Sequence, residues 1–110
     1  MKPNADLLRG ALEPVILEVI ADGATYGYEI AKAIEQTSGG KLLAQEGTLY
    51  PALHRLEKRG WLRAEWGEAE TGREAKFYSL TRMGRKQLEA QTANWDRLSD
   101  AVTMILRTAE

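Results

Sequence analysis

The sequence contains no cysteine, one histidine, one phenylalanine and three prolines in 110 residues, and its charges nearly cancel, 15 basic against 16 acidic. Each scarcity excludes something. Without cysteine there are no disulfides and no thiol chemistry, a composition compatible with a cytoplasmic protein. With His54 as the single histidine, a His-rich metal site cannot form within one chain. No apolar run approaches the roughly 18 residues that a membrane span needs, and the N-terminus lacks the layout of a signal peptide. No glycine-rich phosphate loop and no grouping of nucleophile, base and orienting acid is present, so nothing suggests an enzyme or a cofactor. The net charge of −1 weighs mildly against a nucleic-acid partner. Attraction to phosphate depends on a local patch rather than on the total, so this is a weak veto.

What is present is an ordinary globular composition, 44% hydrophobic and 28% charged, in a chain long enough for one modest core. Its most informative stretch runs from Glu46 to Leu62. Leu49, Leu53 and Leu56 recur at helical spacing and form one apolar stripe. Tyr50, His54, Arg55 and Lys58 lie off that stripe, a mixture able to touch bases and phosphates. Pro51 lacks an N–H and suits only a first turn, which predicts a helix starting near Thr48 with that threonine as its cap. Arg59-Gly60 predicts the end, with a cation in the last turn and a glycine suited to a left-handed exit.

Upstream, Leu7, Leu8, Ala11, Leu12, Val15, Ile16, Val19 and Ile20 cover a helical face wider than a small core requires, which hints at a second chain. A well-buried first helix is the competing reading. Pro14 predicts a kink or a restart near Gly10. A second helix is predicted from Thr25, its cap, through Ile30, Ala31, Ala33 and Ile34 to a break at Thr37-Ser38-Gly39-Gly40. Its start, with Tyr26 and the Gly27 N–H, suits a phosphate, or else Tyr26 simply packs at a turn. Downstream, Trp61 to Trp66 reads as a strand with Leu62, Ala64 and Trp66 on one side, and Ala75 to Leu80 reads as its return. The polar tip lies between them. Such a hairpin is marginal alone and must lean on the helices.

Thr81 caps a final helix in which Leu88, Trp95 and Val102 recur every seven residues, with Leu98 and Ile105 three beyond the last two. That is a seam able to dock another helix. It predicts a homodimer interface of Leu8, Leu12, Leu88, Trp95, Leu98, Val102 and Ile105, the first helix meeting the last. Folding of the seam back onto its own domain is the competing arrangement. The whole predicts a mainly α fold with a small β-hairpin. A winged helix-turn-helix domain would occupy residues 1–80, and a long C-terminal dimerisation helix residues 81–110.

The blocks Tyr26-Gly27-Tyr28-Glu29-Ile30, Glu46 through Glu57, Gly60-Trp61-Leu62 and Lys76 through Thr81 closely resemble the PadR family of bacterial transcriptional regulators. Gly84, Trp95 and the Ala101-Val102 and Ile105-Leu106 ending extend the match over nearly the whole chain. The resemblance implies DNA binding by a winged helix, dimerisation through one C-terminal helix as in the family's short branch, and usually repression. It also implies a site for flat aromatic compounds, which some relatives bind between subunits with a tryptophan of this helix. One departure stands out. Family wings often carry two basic residues where this chain has Glu74 and Ala75, and Glu68 and Glu70 lie close by.

For DNA, the early outward residues are Thr48, Tyr50 and His54, with the Tyr50 hydroxyl directed to a phosphate. Arg55 flanks them as a guanine reader or else a solvated charge, and Tyr26, Gly27, Lys58, Arg63, Arg73 and Lys76 are candidates for phosphates. For a small aromatic effector they are Trp95 with Ala11 and Val15, and with Asp96 and Asp100 if the ligand is cationic. A winged helix that binds protein and not DNA is the alternative function, and the neutral charge is its main support.

Overall fold

The computed structural model describes residues 11–108. In chain order these form α1 (Leu12–Ala21), α2 (Gly27–Thr37), α3 (Glu46–Lys58), β1 (Leu62–Glu68), β2 (Glu74–Leu80) and α4 (Arg82–Thr108). Three short helices, an antiparallel hairpin and a long helix make the winged helix-turn-helix arrangement that the order of elements predicted.

The first three helices end alike. Gly23, Gly39 and Gly60 each take a positive φ one residue past the cap, where a side chain would be strained. At the end of α3, Gly60 donates its N–H to Glu57 and Trp61 donates to Leu56, which satisfies two of the last open carbonyls. The starts are less regular. Pro14 stands in the first turn of α1, where its missing N–H costs nothing. Gly10 and Leu8 lie outside the described residues.

Two predicted caps move. α2 begins at Gly27 with Tyr26 as its cap, and Thr25 instead gives its N–H and hydroxyl to the Glu29 carboxylate at 3.0 and 2.8 Å. α3 begins at Glu46, two residues before Thr48, so Pro51 lies inside it. The proline is tolerated because its missing bond would go to the carbonyl of Gly47, on the helix's exposed side. Thr48 is therefore an exposed first-turn residue, and Gln45 occupies the cap without a side-chain bond.

The core sits where α1, α2 and α3 cross over the hairpin. Ile16, Leu17, Ile30, Ile34, Leu49, Leu53 and Leu56 are fully buried, and Leu12, Leu62 and Tyr78 close the cluster. Each such aliphatic side chain contributes roughly 1.5–3 kcal/mol by leaving water. β1 and β2 pair from Leu62 opposite Leu80 to Glu68 opposite Glu74. The hairpin gains a third edge that the sequence did not signal. Tyr26 bridges Phe77, and the Tyr78 N–H donates to the Thr25 carbonyl at 2.7 Å. This is how a marginal hairpin is tied to α2.

Thr81 joins the wing to α4. Its Oγ1 accepts from the Gly84 N–H at 3.0 Å, capping the helix as predicted, and reaches the Gly60 and Trp61 carbonyls. Gly84 itself lies against the Trp61 carbonyl, where a Cβ would collide with the oxygen. α4 then leaves the domain. Leu88 is half-buried against the core, but from Thr92 to Thr108 every residue is exposed.

Candidate nucleic-acid interface

α3 buries Leu49, Ala52, Leu53 and Leu56 and turns its opposite side to solvent. Positions 47, 51, 54 and 58 recur at four, three and four residues, so Gly47, Pro51, His54 and Lys58 form the middle of the exposed face. Gly47 and Pro51 leave its first part low and flat. His54 and Lys58 make no ion pair or side-chain hydrogen bond with other described residues.

The two flanks of this face differ. Toward α1 and α4 lie Thr48, Arg55 and Arg59. Glu13 of α1 holds both arginines, Arg59 at 2.9 Å and Arg55 more loosely at 3.9 Å. Arg59 also lies over the Trp61 ring, 5.0 Å from its centre. Toward the wing lie Tyr50 and Glu57. Tyr50 packs its ring against Gly27 so closely that a Cβ there would overlap it, so a larger residue at the start of α2 would push the exposed Tyr50 ring aside. Glu57 accepts a hydrogen bond from Lys76 of β2 at 3.0 Å, which ties the wing to α3. That bond raises the Lys76 pKa above the ordinary lysine value. Burial raises the pKa of Tyr26 and of Tyr78, with Glu29 and Lys76 respectively the next influence on each.

The predicted contact residues therefore separate into groups. Tyr50, His54, Arg55 and Lys58 share the exposed sides of α3, with Thr48 on its α1 flank. Tyr26 and Gly27 stand beside Tyr50 across the helix junction, where Gly27 is buried and Tyr26 half-buried. Arg63 is exposed on β1 opposite Ser79. Arg73 is exposed at the wing tip, where its carbonyl accepts from the Ala69 N–H. Trp66 departs from expectation only in its exposure. It shares a strand face with Leu62 and Ala64 as expected, yet it is 66% exposed, because the wing projects past the helices that cover Leu62. Glu13 and Glu57 had no signal in the sequence, since their partners lie 46 and 19 residues away. They decide which cations are already engaged.

The predicted effector and dimer residues also divide. Trp95, 49% exposed, lines a concavity of about 460 Å³ with Leu12, Pro14, Gln91 and Leu98, and with Thr48 and Arg55 of α3. Gln91 Oε1 is buried beside it and accepts no hydrogen bond from a described residue. Ala11, Val15, Asp96 and Asp100 do not line this space. Val15 packs against the core instead, and both aspartates are exposed on α4. Within the expected seam, Leu12 is buried in its own domain and Leu88 packs against it, so the uncovered part begins at Trp95. Leu98, Val102 and Ile105 continue it at 56%, 43% and 70% exposure.

Residues 16–90 match the sequence model of the transcriptional regulator PadR-like family. An uncharacterised protein of Lysinibacillus sphaericus is 29% identical over 107 residues, which cover 97% of this chain and 98% of that one. The solved structure of a transcriptional regulator from Clostridium thermocellum superposes with a TM-score of 0.79 at 33% identity, covering 89% of this chain and 95% of the other. A PadR-like transcriptional regulator from Bacillus cereus does so with a TM-score of 0.77 at 30% identity, over 92% and 96%. The family consists of regulators and not enzymes, and its winged helix supports a DNA-binding role. With three helices, a tethered wing and a family match over most of its length, the chain belongs to the PadR-like family of transcriptional regulators.

Proposed function

We propose that this regulator is a repressor that binds a palindromic operator as a homodimer. Residues 1–80 would act as the DNA-binding unit and residues 81–110 as the dimerisation helix. The observation that carries the reading is the exposed face of α3, centred on His54 and Lys58 and bordered by the wing. In this pose Tyr50, His54 and Lys58 enter the major groove. Tyr26, Gly27, Arg63, Arg73 and Lys76 follow the phosphates, and Thr48 and Arg55 meet the groove edge. Arg55 and Lys76 must first loosen from Glu13 and Glu57, which lowers what each contributes.

A second copy covers the seam from Trp95 to Ile105, since a helix with an apolar stripe in water gains by burying it. Two reading heads on a twofold axis then address half-sites about one helical turn apart or a multiple of it. A small aromatic effector fits beside Trp95. The concavity there is also lined by Thr48 and Arg55, so an occupant would press directly on α3.

Fluorescence anisotropy with DNA from the promoter of its own gene tests the reading. Affinity should fall steeply as salt rises, because phosphate contacts release counterions. Absence of salt-dependent binding would sink it. It would then favour a protein-binding winged helix, which the net charge of −1 and the carboxylate-held cations support.

A further inference from the structure

Between the wing and the starts of α2 and α3 lies a second cleft, about 830 Å³ and so larger than the one beside Trp95. That is within the range of small-molecule sites. Its walls are aromatic and acidic. Tyr26 and Tyr28 come from the start of α2, Tyr50 from α3 and Trp66 from the wing, with carboxylates Glu46 and Glu70 at its edges. Tyr28, Tyr50 and Trp66 are 65%, 46% and 66% exposed, an unusual exposure for three large rings around one hollow.

We propose that this cleft binds an organic cation with an aromatic or quaternary centre. An aromatic ring carries negative potential on its face and attracts a cation placed over it, most strongly where water is excluded. The rings here already draw the chain's own cations. Lys76 Nζ lies 5.9 Å from the centre of Trp66, and Lys32 Nζ lies 5.9 Å from that of Tyr28. Glu46, Glu70 and Glu74 line the cleft against Arg73 and Lys76, and Lys76 is already held by Glu57. The excess charge is therefore negative. Glu70 also acts on the neighbouring Tyr26 hydroxyl, whose pKa is raised first by burial and then by Glu29 and Glu70.

An anion is the competing occupant, because Gly27 and Glu46, the first residues of two helices, line this region. The carboxylates oppose it. Glu46 stands in the first turn of α3, and Glu29 already accepts from Thr25 at the start of α2. A free phosphate seated here would face three acidic side chains with one uncommitted cation, Arg73, and a DNA backbone drawn to Arg73 and Lys76 would compete with the organic cation for the same cleft. The site is also separate from the one proposed at Trp95, with which it shares no lining residue.

The test uses two probes of the same shape and opposite charge, tetraphenylphosphonium and tetraphenylborate, titrated calorimetrically into the full chain. The phosphonium should bind and the borate should not. The Glu46→Gln/Glu70→Gln double variant and Trp66→Ala should each weaken phosphonium binding about tenfold. Trp95→Ala should leave unchanged the component of binding that Trp66→Ala removes. All the changed cleft positions are exposed, so circular dichroism should show an intact fold in those variants. Loss of binding in Trp95→Ala alone would move the cation to the subunit seam and overturn the proposal. Equal binding of both probes would reduce the cleft to an apolar surface. Failure of the operator titration would leave this result untouched, since neither probe involves DNA.

Discussion

The winged domain and the C-terminal helix hold similar kinds of apolar residue in opposite situations. Ile16, Leu17, Leu49, Leu53 and Leu56 are sealed from water, whereas Leu98, Met104, Ile105 and Leu106 stand 56–70% exposed on α4. One region closes its own core and the other presents a stripe that no described residue closes over. Hydrophobic stabilisation follows area removed from water, so the first region is self-sufficient. The second gains its share only from another surface. Thr81 and Gly84 form the joint between them.

The contrast can be broken most forcefully in the core. Leu53→Ala should cost about 2–5 kcal/mol, read as a lowered denaturant midpoint, since the cavity it leaves is enclosed by three helices. A small effect would mean that the domain repacks. Val102→Asp should act on the other region alone. Placing an unpaired charge in the seam should weaken self-association by about 3 kcal/mol or more, while the winged domain keeps its far-ultraviolet spectrum. Sedimentation at micromolar concentration reads this, and an unchanged dimer would place the interface elsewhere.

Changes at the joint should fall between these and the surface. Gly84→Ala drives a methyl into the Trp61 carbonyl and should cost about 1–3 kcal/mol in thermal unfolding. Thr81→Val keeps the shape but removes the cap and the bond to Gly60, for about 1 kcal/mol. The smallest effect belongs to Lys76→Met, which frees the wing from Glu57 and should cost about 1 kcal/mol or less. Its pH dependence has a definite sign. The folded-state pKa of Lys76 is raised, so the contact is fully present below the unfolded lysine's value near ~10.4. It is lost as pH climbs through the higher folded value. Wild type and variant should therefore converge in alkaline solution.

Much of the fold was legible because its signals are local. The Leu49, Leu53 and Leu56 stripe, the Gly60 exit and the Thr81 cap depend on neighbours within a few residues, and all three appear as expected. The strands did too, because aromatic and branched residues between glycine-rich turns leave little choice. The start of α3 was misplaced because Pro51 was weighed by the general rule against interior proline. Its actual cost depends on which carbonyl loses a partner. The face of Trp66 was legible but its exposure was not, because alternation assigns a side of the strand and not how far the covering layer extends.

The candidate interface was less legible. Which residues share the exposed side of α3 followed from helical periodicity. Which of its cations are engaged did not. Arg55 and Arg59 reach Glu13 from more than 40 residues away, and Lys76 reaches Glu57 across the junction of wing and helix. The wing-side cleft was equally hidden, since Tyr26, Tyr50 and Trp66 come from three elements and meet only after folding.

The sequence alone determined the elements, their order, the amphipathic stripe on each helix and the family, because these rest on spacing and short-range geometry. Only the tertiary structure decided how far each stripe is covered. Leu12 and Leu88 pack within their own domain, whereas Trp95, Leu98 and Ile105 do not, although one periodic pattern contains them all. Periodicity specifies a direction around a helix axis. Burial depends on whether another element lies in that direction: beside Trp95 and Leu98, α1 and α3 approach without closing over them, and past Leu98 the described residues leave the helix exposed.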